Sequence, residues 1–84
     1  MRYKEFEIRP VALGTNIIPN KWEVIKWRYE DSCFTIAFLD YDPKQPGFEF
    51  RSVGTRYLEY ADLKLNKIIL KWCEMQELIL GEEE

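Results

Sequence analysis

The sequence predicts an α+β fold: an antiparallel sheet of three to four strands in β-meander order, with one C-terminal helix packed on one face. Three observations carry that expectation. Between residues 22 and 53, runs rich in aromatic and β-branched residues alternate with short clusters of turn formers. From about residue 56 the apolar period changes, with Leu58, Ala61, Leu65, Ile68, Trp72, Met75 and Ile79 spaced alternately three and four apart. The 84 residues are 46% hydrophobic and 15% aromatic, enough for a core without metal or disulfide staples.

Taken in order, YKEFEIR (3–9) sets Phe6 and Ile8 on one face and reads as a short strand stopped by Pro10. VALGTNIIPN (11–20) carries Gly14, Asn16, Pro19 and Asn20 and reads as a connection. KWEVIKWRYE (21–30) is a strand, Asp31 and Ser32 mark a turn, and CFTIAFLD (33–40) is the next strand. GFEFRSVG (47–54) follows a proline-bearing loop and is another. Residues 56–62 fit either period. Asp62 is a good N-cap, which puts the secure helix at about 63–80, and Gly81 is a good stop. Residues 1–80 therefore make a single domain, and 81–84 an acidic, disordered tail.

Strand register is tested by asking which pairing gathers the apolar residues, because a slip of one residue turns every side chain over. Pairing Tyr29 with Phe34 sets Trp27 opposite Ile36 and Ile25 opposite Phe38. Pairing Phe38 with Phe48 sets Ile36 opposite Phe50. Strict alternation then collects Ile25, Trp27, Tyr29, Phe34, Ile36, Phe38, Phe48 and Phe50 under the helix. The outer face receives Trp22, Val24, Lys26, Arg28, Thr35, Ala37, Leu39, Glu49, Arg51 and Val53. In that register Arg28, Thr35 and Arg51 form a row across three strands, with Lys26 one pair along. Such a row attracts a phosphate, a carboxylate or an acidic segment.

The net charge of −3 lies in the tail: setting aside Glu82, Glu83 and Glu84 leaves twelve acidic against twelve basic residues. A neutral body lacks the basic field of a nucleic-acid binder, and only Trp22 among the sheet aromatics is expected outside, so nucleic acid is not the expected partner. There is no histidine, and Cys33 and Cys73 stand forty residues apart, which removes most zinc, haem and triad chemistry. Two reduced thiols in a cytoplasmic protein follow. MRYKEFEIRP has the pattern of neither a signal peptide nor a membrane span. DYDPKQPGF (40–48) starts like a calcium loop, but the later ligand positions fall on Lys44, Gln45 and Arg51, so a strand-reversing turn is expected and no metal. No enzyme, cofactor or catalytic residue is expected.

On the helix, Leu63 and Leu70 lie one heptad apart, nearly opposite the main seam. They pack on the N-terminal strand or make a stripe for self-association, with a homodimer as the product. WEVIKW, CFTIAF and GFEFRSVGTR, across residues 22 to 56, resemble small proteins encoded by bacteriophages and prophages, to which no reaction is assigned. That resemblance implies a cytoplasmic accessory protein. The expected function is a non-enzymatic module that binds a protein partner. The alternative is anion, nucleotide or nucleic-acid binding by Arg28, Thr35 and Arg51, with Lys26 and Trp22 beside them.

Overall fold

The computed structural model describes residues 2–45 and 47–82, the last two by backbone alone. Five antiparallel strands lie in sequence order: β1 (Arg2–Tyr3), β2 (Phe6–Leu13), β3 (Asn16–Tyr29), β4 (Ser32–Tyr41) and β5 (Phe48–Ser52). A short helix α1 (Arg56–Tyr60) and a long helix α2 (Leu63–Glu82) follow. The α+β meander with a C-terminal helix is the predicted fold, with one strand more than the upper expectation.

The additional strand pairing comes from the N-terminal third. Pro10 does not stop β2; it pairs with Trp22, and the chain runs on through Leu13. The stretch read as a connection is a hairpin, with Leu13 paired to Asn16 across Gly14, whose φ of 63° suits a residue without a Cβ. Pro19 and Asn20 sit where this ladder loses register, and Asn20 takes the left-handed φ of 59° that asparagine tolerates. The turn chemistry in the sequence is genuine, but it marks a hairpin tip and a kink within one long strand.

The β3–β4 register differs from the predicted one. Trp22 pairs with Leu39 and Val24 with Ala37; the ladder then shifts, so that Ile25 faces Thr35 and Lys26 faces Phe34. Ile36 is the extra residue. At this bulge Ile36 and Ala37, neighbours in sequence, are both fully buried in the same cluster. Strict alternation, on which the predicted register rested, fails at a bulge because two residues on one strand oppose one on the other. On β5, Phe50 pairs with Leu39 and Phe48 with Tyr41.

The faces are re-sorted accordingly. Phe34, Ile36, Phe48 and Phe50 lie on the helix side as predicted, and Trp22, Val24, Ala37 and Leu39 join them from the predicted outer set. Trp27 and Phe38 lie on the reverse, as does Ile25 by alternation with Val24, and Tyr29 is exposed at the hairpin end. The core is closed by Phe6 and Ile8 of β2, Tyr57 of α1, and Leu65 and Ile69 of α2.

Asp62 caps α2 as the sequence predicts, its Oδ1 accepting from the Leu65 N–H at 2.7 Å. The inward stripe of α2 runs through Leu65, Ile69, Trp72 and Cys73, while Leu58 and Met75 of the predicted seam are exposed. The hydrophobic seam is turned by about one residue because Ile69 rather than Ile68 meets the sheet. The helix does not stop at Gly81: residues 81 and 82 continue it, so half of the predicted disordered tail is helical, and Glu83 and Glu84 lie outside the described residues. No helix among the described residues is long and apolar enough to cross a membrane.

Candidate functional site

The predicted row of Arg28, Thr35 and Arg51 does not assemble. Thr35 pairs with Ile25, and Arg51 pairs with Phe38, three residues further along β4. Arg28 falls between the paired residues Trp27 and Tyr29, and its guanidinium lies 5.7 Å from the Phe34 ring centre on the α1 side. The pairing lies three residues from the predicted one on both sides of β4, and that offset separates these residues.

What occupies the reverse face is a mosaic of matched charges. Glu23 accepts from Arg9 Nε at 2.8 Å and from Thr35 Oγ1 at 3.0 Å. Its hydrogen bond holds the Arg9 guanidinium above the usual arginine range. Lys21 and Arg51 both lie 3.9 Å from Asp40 and flank the Phe38 ring at 5.0 and 5.5 Å. Trp27 Nε1 donates to Glu7 at 3.1 Å. Exposed pairs of this kind contribute little stability each, but together they leave no free cationic row.

The other predicted site residues are placed elsewhere. Lys26 is on the helix side, hydrogen-bonded to Glu5 and over the rings of Phe6 and Tyr60; its ammonium holds the Glu5 carboxyl below the usual range. Trp22 is packed into an aromatic triad, with ring centres 5.5 Å from both Phe48 and Trp72, and those two 5.6 Å apart. This triad fastens α2 to the far end of the sheet. Leu63 is exposed at the start of α2. Leu70, also exposed, has a neighbourhood of its own.

That neighbourhood is a groove of 510 Å³ between β5 and α2. Leu39, Phe48 and Phe50 line it from the sheet, Tyr57 from α1, and Ile69, Leu70 and Cys73 from α2. Its polar fixtures are few. Tyr57 Oη donates to Asn66 Oδ1 at one end, with burial raising the phenol's pKa. Glu74 and Glu77 stand along the helix lip. Burial, reinforced by these two carboxylates, pushes the Cys73 thiol up to about 11, so it is an inert wall rather than a nucleophile. Among the described residues no lysine or arginine lines the groove.

The DYDPKQPGF loop closes one end. Asp42 Oδ1 accepts the Lys44 N–H at 2.9 Å, and Asp42 O accepts from Gln45, so the loop is the predicted capped turn. Gly47 has φ of 89°, and a Cβ there would stand 3.4 Å from Glu77 Oε1, so the turn abuts α2 closely. Beside it Asp40, Asp42 and Glu49 line a second, polar hollow of 400 Å³ that shares Gly47 and Phe48 with the groove. Among the described residues no three carboxylates or thiols gather as ligands for a metal ion. Both cysteines are free thiols.

β5 is the last strand of the sheet, and its outer edge is unpaired by any described strand. The arrangement is therefore an apolar trough beside an open strand edge, under an acidic lip. Of this set the sequence offers Leu70 as a candidate binding residue, with Cys73 following on the same stripe. The spare apolar stripe was the signal for it, whereas Phe48 and Phe50 were assigned wholly to the core. No family model, curated protein or solved structure matches the chain.

Proposed function

We infer that the protein is a non-enzymatic interaction module, and that its partner is a protein segment that docks in extended form in the groove between β5 and α2. The observation that carries this reading is the apolar groove whose only charged lining among the described residues is Glu74 and Glu77. An extended segment adds its backbone to the free edge of β5 and sends alternate side chains into the trough. Phe48 and Phe50, two apart on that strand, set the matching period. Apolar residues at alternate positions fill the trough, and a lysine or arginine beside them meets the acidic lip. The strand-style resemblance to small phage and prophage proteins agrees with an accessory role of this kind. No catalytic step is proposed, because the polar groups described at the groove are a phenol hydrogen-bonded to Asn66, an exposed and a half-buried carboxylate, and a suppressed thiol.

The test is selection from a displayed random-peptide library, with wild type and two variants as bait: Leu70→Glu, and Glu74→Lys with Glu77→Lys. Leu70 is exposed, so its substitution leaves the fold intact. Enriched peptides should alternate apolar residues, carry a flanking lysine or arginine, and lose binding to both variants. Peptides that bind all three baits equally, or no enrichment on wild type, would reject the groove as the docking surface.

A further inference from the structure

A second feature lies at the opposite end of the sheet. The guanidinium carbons of Arg28 and Arg56 each stand 5.7 Å from the centre of the same ring, Phe34. Both line a hollow of 260 Å³ together with Phe34, Glu59 and Tyr60. Phe34 and Tyr60 are in edge contact at 5.2 Å, so the floor is aromatic. Arg56 is steadied by one hydrogen bond, from Nη1 to the Thr35 carbonyl at 3.2 Å. Among the described residues neither arginine has a carboxylate within salt-bridge distance, in a chain with fifteen acidic residues.

Two guanidiniums held at one ring repel each other, and a single stem would cover Phe34 as well. Arg56 uses Nη1 on the Thr35 carbonyl, and its remaining N–H groups, with those of Arg28, are donors that can read an oxyanion in forked geometry. Among the described residues Glu59 is the one carboxylate lining the hollow, and it accepts from Thr55 Oγ1 at 3.0 Å rather than from either arginine. Lys26, over Tyr60, is matched by Glu5, so the hollow keeps one net positive charge.

We propose that Arg28 and Arg56 form a binding site for a phosphoryl group, seated over Phe34 and Tyr60 and opposed by Glu59. This site is independent of the groove and does not require the docking reading. The experiment is a titration of ¹⁵N-labelled full-length protein with phenyl phosphate and with inorganic phosphate at matched ionic strength. Saturable shifts of the Arg28 and Arg56 Nε–H signals and of the amides around Phe34 and Tyr60 are expected. Arg28→Lys and Arg56→Lys keep the charge but lose the fork, and each should weaken binding about fivefold or more. Glu59→Gln removes the opposing carboxylate and should tighten binding about threefold, an effect that a merely structural role does not produce. Equal affinity for both probes assigns free phosphate as the ligand; tighter phenyl phosphate binding assigns a phosphomonoester. Shifts that never saturate, or that persist undiminished in both lysine variants, overturn the site.

Discussion

Ala37→Gln is the sharpest perturbation of the fold, because the bulge decides its outcome. Ile36 and Ala37 are each 0% exposed and belong to one core cluster, although they are adjacent on a strand. In a strictly alternating strand one of the two would face outward, and a polar substitution there would change stability by no more than about 0.5 kcal/mol. In this structure neither does. Glutamine at 37 must overpack the space between Val24, Ser52 and the helices, costing about 1–3 kcal/mol, and bury an amide with no arranged partner, costing about 1–3 kcal/mol more. A loss of about 3–4 kcal/mol is expected, a large share of the roughly 4–13 kcal/mol typical of a chain this size. In a thermal melt followed by circular dichroism that is a fall of about 12 °C or more. Ile36→Ala, on the same apparatus, should cost about 3 kcal/mol through its cavity. If Ala37→Gln melts within about 4 °C of wild type while Ile36→Ala is strongly destabilised, the strand alternates and the bulge is wrong.

Further expectations concern the helix and its neighbours. Trp72→Ala removes one member of the Trp22–Phe48–Trp72 triad and should cost about 3 kcal/mol in urea unfolding, whereas Trp72→Phe should recover at least half of that. Asp62→Ala, which deletes the cap on Leu65 N–H, should cost about 1 kcal/mol in the same assay. Gly47→Ala must take a φ of 89° and press on Glu77 Oε1, and should cost about 1–2 kcal/mol, read from urea midpoints at unchanged slope. With a pKa of about 11 rather than 9.0, Cys73 holds about one thiolate in a thousand at pH 8 instead of about one in ten. Its alkylation, followed by peptide mass spectrometry, should be correspondingly slow in the folded protein and fast in urea. Because the folded state keeps the proton that the unfolded state releases, this group's contribution to stability is present below pH 9 and is lost as pH rises towards 11.

Much of the architecture was legible in the residues. The reversals near 31 and 42–45, the change of period near 56 and the Asp62 cap are local signals, and local chemistry formed them, the first one residue earlier than expected at Glu30 and Asp31. Pro10 and Gly14 misled because proline is allowed at a sheet irregularity and glycine serves a hairpin tip as readily as a loose connection. The bulge at Ile36 has no residue signature: isoleucine followed by alanine is ordinary strand sequence. One extra residue there exchanges Ala37 and Leu39 with Phe38 between faces, and ladders set three residues from the predicted pairing on either side of β4 take the Arg28, Thr35 and Arg51 row apart. Arg28 and Arg56 meet at one ring because α1 brings Arg56 there from 28 residues away in sequence, a contact that no pattern within a strand announces. The groove was visible only through Leu70. Phe48 and Phe50, two of its walls, are residues that a sequence pattern assigns to a core without showing how much of each stays open.

The most direct measurement of the docking surface is an amide-shift map of the ¹⁵N-labelled protein with a peptide taken from the library selection. The account predicts perturbations concentrated on Phe48–Ser52, on Tyr57, and on the Asn66, Leu70, Cys73 and Glu77 flank of α2. Perturbations centred instead on the reverse face, around Trp27, Phe38 and Arg51, would contradict it.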